Sequence, residues 1–127
     1  MGHSIWINGG NSSDVVIKNC TISRPVNLSG YNSSIKNVII ENNTFKNGFG
    51  VYAITLCGDL ENIKISNNTY GFSGLARVHK DGADNFSFVN ILIENNTSSS
   101  NTNKIVVDAE VEELYNAAVA NGNVVIK

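Results

Sequence analysis

Hydrophobic and polar residues alternate along this chain in short runs that end at asparagines. One such run recurs as Asp14-Val-Val-Ile-Lys-Asn-Cys-Thr-Ile22, Asn37-Val-Ile-Ile-Glu-Asn-Asn-Thr-Phe45, Asn62-Ile-Lys-Ile-Ser-Asn-Asn-Thr-Tyr70 and Asn90-Ile-Leu-Ile-Glu-Asn-Asn-Thr-Ser98, and it opens again at Asn123-Val-Val-Ile-Lys127. Its second and fourth positions are always Val or Ile, while the third and fifth admit Lys, Glu or Ser. This period of two predicts a β-strand with branched residues facing a core and polar ones facing out. A second strand with its own alternation precedes each phrase: Ile5-Trp6-Ile7, Val26-Asn27-Leu28, Ile54-Thr55-Leu56, Ala76-Arg77-Val78 and Ile105-Val106-Val107. Gly9, Gly30, Gly58 and Gly82 follow four of these leading strands, as sharp corners require.

The phrases start at 14, 37, 62 and 90, so they are 23, 25 and 28 residues apart. Such a period belongs to a solenoid, in which like strands stack in parallel about 4.8 Å apart and equivalent side chains form columns. Each inward Val or Ile then stabilises by roughly 1.5 to 3 kcal/mol, provided the next coil covers it. The expected fold is all-β, one solenoid over residues 1–127 with about five coils. Asn19, Asn42, Asn67 and Asn95 are expected to bond from coil to coil at the turn, with Cys20, Asn43, Asn68 and Asn96 in the left-handed conformation that Asn tolerates. One short helical insertion is expected at about 109–120. Asp108 caps it, Glu110, Glu112 and Glu113 sit at its positive end, Val111, Leu114, Tyr115 and Ala118 form its apolar stripe, and Gly122 closes it.

Composition narrows the function. Charged residues are 16%, the net charge is −2 and basic residues are scattered, which gives no electrostatic reason to expect a nucleic acid. No apolar run is long enough for membrane insertion. Cys20 and Cys57 fall in different columns, against a disulfide, and neither belongs to a metal-binding spacing. No cofactor is expected; Asp81-Gly-Ala-Asp84 offers too few oxygens for Ca²⁺ by itself. Outward positions of the leading strands read Trp6/Asn8, Asn27/Ser29, Thr55/Cys57, Arg77/His79 and Val106/Asp108. An aromatic face, amides, a hydroxyl, an Arg and a His suit a flat, hydroxyl-rich sugar, and Arg77 suits a sugar carboxylate. The chain is expected to be a segment of a longer solenoid; the alternative is self-association through uncapped coil ends or as a trimer.

The phrase resembles the Asn-Val-x-Ile-x-Asn-Asn-x-Phe repeat of the pectate-lyase-like superfamily, which implies a single-stranded right-handed parallel β-helix. It also implies a polysaccharide ligand, uronic-acid-containing in many members, and a place outside the cell or on a virion surface, as for phage tailspikes. Gly2-His3-Ser4-Ile5 and Arg77-Val78-His79-Lys80 are similar to the Gly-His-Gly and Arg-Ile-Lys motifs of polygalacturonases. That resemblance implies that His3 organises the site and that Arg77 and Lys80 bind substrate. Inverting hydrolysis needs two carboxyl groups roughly 6.5 to 9.5 Å apart. The leading-strand face offers only Asp108, so the catalytic alternative rests on Arg77 and His79. Polysaccharide binding on Trp6, Asn8, Asn27, Thr55, Arg77, His79, Lys80 and His3 is the expected function. The alternative is a structural β-helix of an adhesin or tail fibre.

Overall fold

The computed structural model describes residues 5–8, 12–46, 52–71, 73–80, 85–99 and 101–127, without the side chains at 8 and 31–33. The leading strands are β1 (Ile5–Asn8), the first part of β4 (Val26–Glu41), the first part of β6 (Tyr52–Ser66), β8 (Gly74–His79) and β10 (Ile105–Val107). They pair in parallel in that order, placing Ile5, Val26, Ile54, Ala76 and Ile105 in one column. The phrase strands are β2 (Ser13–Lys18), the later parts of β4 and β6, β9 (Ser87–Glu94) and β11 (Val124–Ile126). Their parallel register aligns Val15, Val38, Ile63, Ile91 and Val124. The molecule is a parallel β-solenoid, and its columns are those that the alternation predicts.

A second, short sheet joins β3 (Thr21–Ile22), β5 (Thr44–Phe45) and β7 (Thr69–Tyr70). It consists of the last two residues of each phrase and turns Ile22, Phe45 and Tyr70 into the core. This sheet corrects the coil count to about three instead of five, because only three turns carry all three strands. Past β9 the third strand shrinks to a bridge between Thr69 and Thr97, and the chain then doubles back so that Thr97 pairs antiparallel with Thr102. The remaining stretch has β10 and β11 with a helix between them and no third strand among the described residues.

Inward residues lose nearly all solvent contact: Val26, Leu28, Ile35, Ile40, Ile54 and Ile65 are fully buried. At β11, which pairs only with β9, burial is uneven: Val124 is 2% exposed, whereas Ile126, the counterpart of buried Ile40, Ile65 and Ile93, is 42% exposed.

Two side-chain ladders run along the solenoid, and their assignment reverses the expected one. Asn19, Asn42, Asn67 and Asn95 take the left-handed conformation, with φ of 56°, 56°, 55° and 57°, and their side chains are exposed. The residue after each of the last three, Asn43, Asn68 and Asn96, is buried, while Cys20 after Asn19 is exposed. Asn43 donates from both its backbone N and Nδ2 to Asn68 Oδ1 at 3.0 Å. Asn68 does the same to Asn96 Oδ1 at 3.0 and 2.8 Å, and Asn96 to Asn103 Oδ1 at 2.9 Å. The second Nδ2 hydrogen of Asn43, Asn68 and Asn96 goes to the carbonyls of Ile17, Ile40 and Ile65. The physical reason is the corner itself: the left-handed residue turns the chain, and the next one carries its amide into the interior, where backbone groups need partners. Cys20 takes the first rung, its backbone N donating to Asn43 Oδ1 at 3.0 Å. Asn103 becomes the last rung through the Thr97–Thr102 reversal.

The second ladder lies outside. Asp14, Asn37, Asn62 and Asn90, also at positive φ, begin the phrases. Asn90 Nδ2 donates to Asn62 Oδ1, Asn62 to Asn37 and Asn37 to Asp14 Oδ1, the last two at 3.0 Å. Its amide-to-amide bonds run toward the first coil, those of the buried ladder toward the last.

Among the described corner glycines only Gly58 needs a positive φ, at 83°. Gly30 serves close approach instead, since a Cβ there would lie 2.7 Å from the Asp59 carbonyl oxygen. Gly9 and Gly82 lie outside the described residues. The insertion forms as a 3-10 turn over Ala109–Val111 followed by α1 (Glu112–Ala120), closed by Gly122 at φ 84°. Val111, Tyr115 and Ala118 are buried, but Leu114 is 50% exposed, so the apolar stripe is narrower than expected. Phe88 meets Tyr115 edge-on at 6.4 Å and stacks on Phe86 at 4.5 Å. Burial pushes the Tyr115 hydroxyl above its ordinary pKa. No helix among the described residues is long and apolar enough to cross a membrane.

Candidate functional site

Stacking brings the leading-strand residues together as two outward rows. Trp6, Asn27, Thr55, Arg77 and Val106 occupy one, and Asn8, Ser29, Cys57 and His79 the other. The rows differ in access. Ser29, Cys57 and His79 are buried, whereas Trp6 is 58% exposed and Thr55, Arg77 and Lys80 are partly open. Asn27 is buried as well, its side-chain oxygen accepting a hydrogen bond from the Thr55 hydroxyl. His3 and the Asp81–Asp84 turn lie outside the described residues, and so does the side chain of Asn8.

Arg77 has an internal partner. Its Nε donates to Asp108 Oδ1 at 3.0 Å and its Nη2 to Asp108 Oδ2, a bidentate pair. Asp108 therefore does not cap the helix with its side chain, as expected from the sequence; its carboxylate turns to the guanidinium across the stacked strands. The charge-assisted fork is the stronger partner for a carboxylate. The Arg77 hydrogen bond holds the Asp108 carboxyl below its ordinary pKa; burial opposes this, and the charges of Arg77 and then His79 add to it. A depressed carboxyl stabilises the fold above its unfolded pKa, about 4, and that contribution disappears as the pH falls through the lower folded value. The pair is partly solvated, so about 0.5 to 1 kcal/mol is expected at neutral pH. Urea unfolding of the wild type and Asp108→Asn should differ by that amount at pH 7 and converge in acid. A gap that persists below the folded pKa would show that Asp108 acts through packing.

No described leading strand contains Asp or Glu, and Asp108 is engaged with Arg77. The two carboxyl groups of an inverting hydrolase are thus not assembled among the described residues of this face. Among the described residues no cluster of three or more His, Cys, Asp or Glu is placed to hold a metal. Among the described residues neither Cys20 nor Cys57 forms a disulfide.

The outward surface of the phrase strands holds a feature that the alternation pattern missed. The third phrase position carries Val16, Ile39, Lys64, Leu92 and Val125, aligned in one outward row. Four of these five are apolar, a signal present in the sequence but hidden by reading the position as polar. Beside them runs the exposed ladder of Asp14, Asn37, Asn62 and Asn90, and the two rows line a groove of about 520 Å³. Comparison with family models, curated proteins and solved structures finds no match for this chain.

Proposed function

We propose that this chain is a polysaccharide-binding stretch of a right-handed parallel β-helix of the pectate-lyase-like kind, working outside the cell or on a virion surface. One observation carries the reading: the register sets Trp6, Asn27, Thr55 and Arg77 in a single row across consecutive strands. A row of this kind, about 14 Å long at the spacing of stacked strands, presents an aromatic face at one end and a charged group at the other. The right hand follows from the general rule for parallel crossovers. Binding is proposed without turnover, because the acids required for hydrolysis are not gathered on the described face. Asp108 fills the fork of Arg77, so an acidic sugar would have to compete with it, and hydroxyl-rich ligands are favoured over strongly anionic ones.

A glycan-array screen of the chain beside Trp6→Ala and Arg77→Ala tests this. Both variants should keep the wild-type circular dichroism, and each should lose about tenfold in retention, the 1.4 kcal/mol expected of a hot-spot contact. Trp6 is the single Trp of the chain, so its emission reports a ligand at this face directly. Unchanged retention in both variants, or no bound glycan, would reject the proposal. A second reading, a ligand-free structural rod, is favoured by the internal Arg77–Asp108 pair and by the burial of Ser29, Cys57 and His79. It predicts a folded protein that binds nothing on the array.

A further inference from the structure

We infer that the outward groove along the phrase strands is a separate binding site for a neutral, hydroxyl-rich linear chain that lies parallel to the solenoid axis. This site shares no residue with the leading-strand row, so either can fail without the other. Its first wall is apolar: Val16 is 61% exposed, and Ile39 and Leu92 are partly exposed, with Lys64 between them. Outward strand positions meeting water are normally polar. An aligned apolar row there is the kind of patch that marks a contact surface.

The second wall is the exposed amide ladder. Asn37 and Asn62 each give one N–H to the coil before and one oxygen lone pair to the coil after. A carboxamide has two of each, so every inner rung keeps one donor and one acceptor for a ligand. Their direction is fixed in advance by the left-handed backbone and by the ladder, so little ordering cost falls on binding. Rungs recur about every 4.8 Å, whereas an extended peptide repeats its groups about every 6.6 Å and slips out of phase after one rung.

Charge argues against a polyanion. Asp14 and Lys64 line the groove, and the rows on either side hold the opposed pairs Lys18–Glu41 and Lys36–Glu61, each at 4.0 Å, leaving no excess of positive charge. A chain of linked sugar rings satisfies both walls. Each ring advances by close to one rung, turns a hydroxyl edge to the amides and lays a C–H face on the apolar row. The groove volume falls within the usual range for a ligand cleft, about 300 to 1,000 Å³.

The test is a titration of the ¹⁵N-labelled full chain with cellohexaose, xylohexaose and laminarihexaose, followed by NMR. At least one should shift the side-chain amides of Asn37, Asn62 and Asn90 and the backbone of Ile39 and Leu92, leaving the Trp6 indole unmoved. Leu92→Glu should weaken that binding tenfold or more. Asn62→Asp, which loses the donors and keeps the shape, should weaken it also, while Arg77→Ala should leave it unchanged. No shift with any of the three sugars, shifts confined to Trp6 and its row, or equal affinity in both groove variants would overturn the inference. Shifts around Trp6 alone would sustain the leading-strand reading while sinking this one.

Discussion

Replacing Asn68 by Leu should destabilise the solenoid by roughly 3 to 6 kcal/mol, the largest effect expected of any single side chain here. Asn68 is fully buried and its amide serves three neighbours. Its oxygen accepts from the backbone N and Nδ2 of Asn43, and its nitrogen donates to the Ile40 carbonyl and to Asn96 Oδ1. Leu matches its size and satisfies none of these groups. Each buried polar atom left without a partner costs about 1 to 3 kcal/mol. Set against a total stability of about 5 to 15 kcal/mol for a typical domain, that loss should lower Tm by well over 10 °C or prevent folding. Asn62→Gly is the control, because Asn62 is exposed and Gly accepts its φ of 55° at little cost. Should Asn68→Leu unfold within 1 kcal/mol of the wild type, the buried ladder is not what closes the corners.

Gly58→Ala should cost about 3 to 5 kcal/mol, and Gly122→Ala only about 1. The two glycines have nearly the same φ, 83° and 84°, so the backbone penalty for adding a Cβ is shared. They differ in surroundings. A Cβ on Gly58 would lie 2.6 Å from the Gly30 oxygen and 2.8 Å from its carbonyl carbon, while nothing lies within 4 Å at Gly122. The clash involves backbone on both sides, at the point where β4 and β6 stack, so neither can yield without breaking the register at Gly30↔Gly58. Urea midpoints of the two variants, measured side by side, separate strain from collision. Equal losses would mean that the stack adapts and that close approach is unimportant there.

The register was legible because Val and Ile recur with a strict period of two; Val15, Val38, Ile63, Ile91 and Val124 fall in line without any help from turn lengths. The short second sheet was not, since a two-residue strand such as Thr44–Phe45 is too short to display a period. An Asn-Asn pair does not announce which member turns the corner. Asn42 and Asn43 are chemically the same, and only the direction of the chain entering the turn sends one outward and the other inward. The candidate site was legible as a row of positions but not as a set of partners. Asp108 fits a helix cap by its place in sequence, while its partner Arg77 stands 31 residues away and becomes a neighbour only through stacking. The apolar row of Val16, Ile39, Leu92 and Val125 was open to inspection and was obscured by Lys64, which made the position read as polar.

The rungs of the buried ladder are nearly interchangeable, which gives the folding chain a problem of its own. Cys20 bonds to Asn43 through the geometry with which Asn43 bonds to Asn68, so β2 stacked on β6 with one coil looped out would satisfy much the same groups. Repetition thus makes slipped arrangements almost as good as the correct one, the kind of degeneracy that traps repeat proteins on the way to the native state. Discrimination must come from features that do not repeat. Gly30 against Gly58 is one, because no other described pair of coils offers two facing glycines, and the Phe86, Phe88 and Tyr115 cluster beneath the helix is another. The irregular parts of this solenoid act as its page numbers: they add little to the stability of any one coil and tell each coil which neighbour is its own.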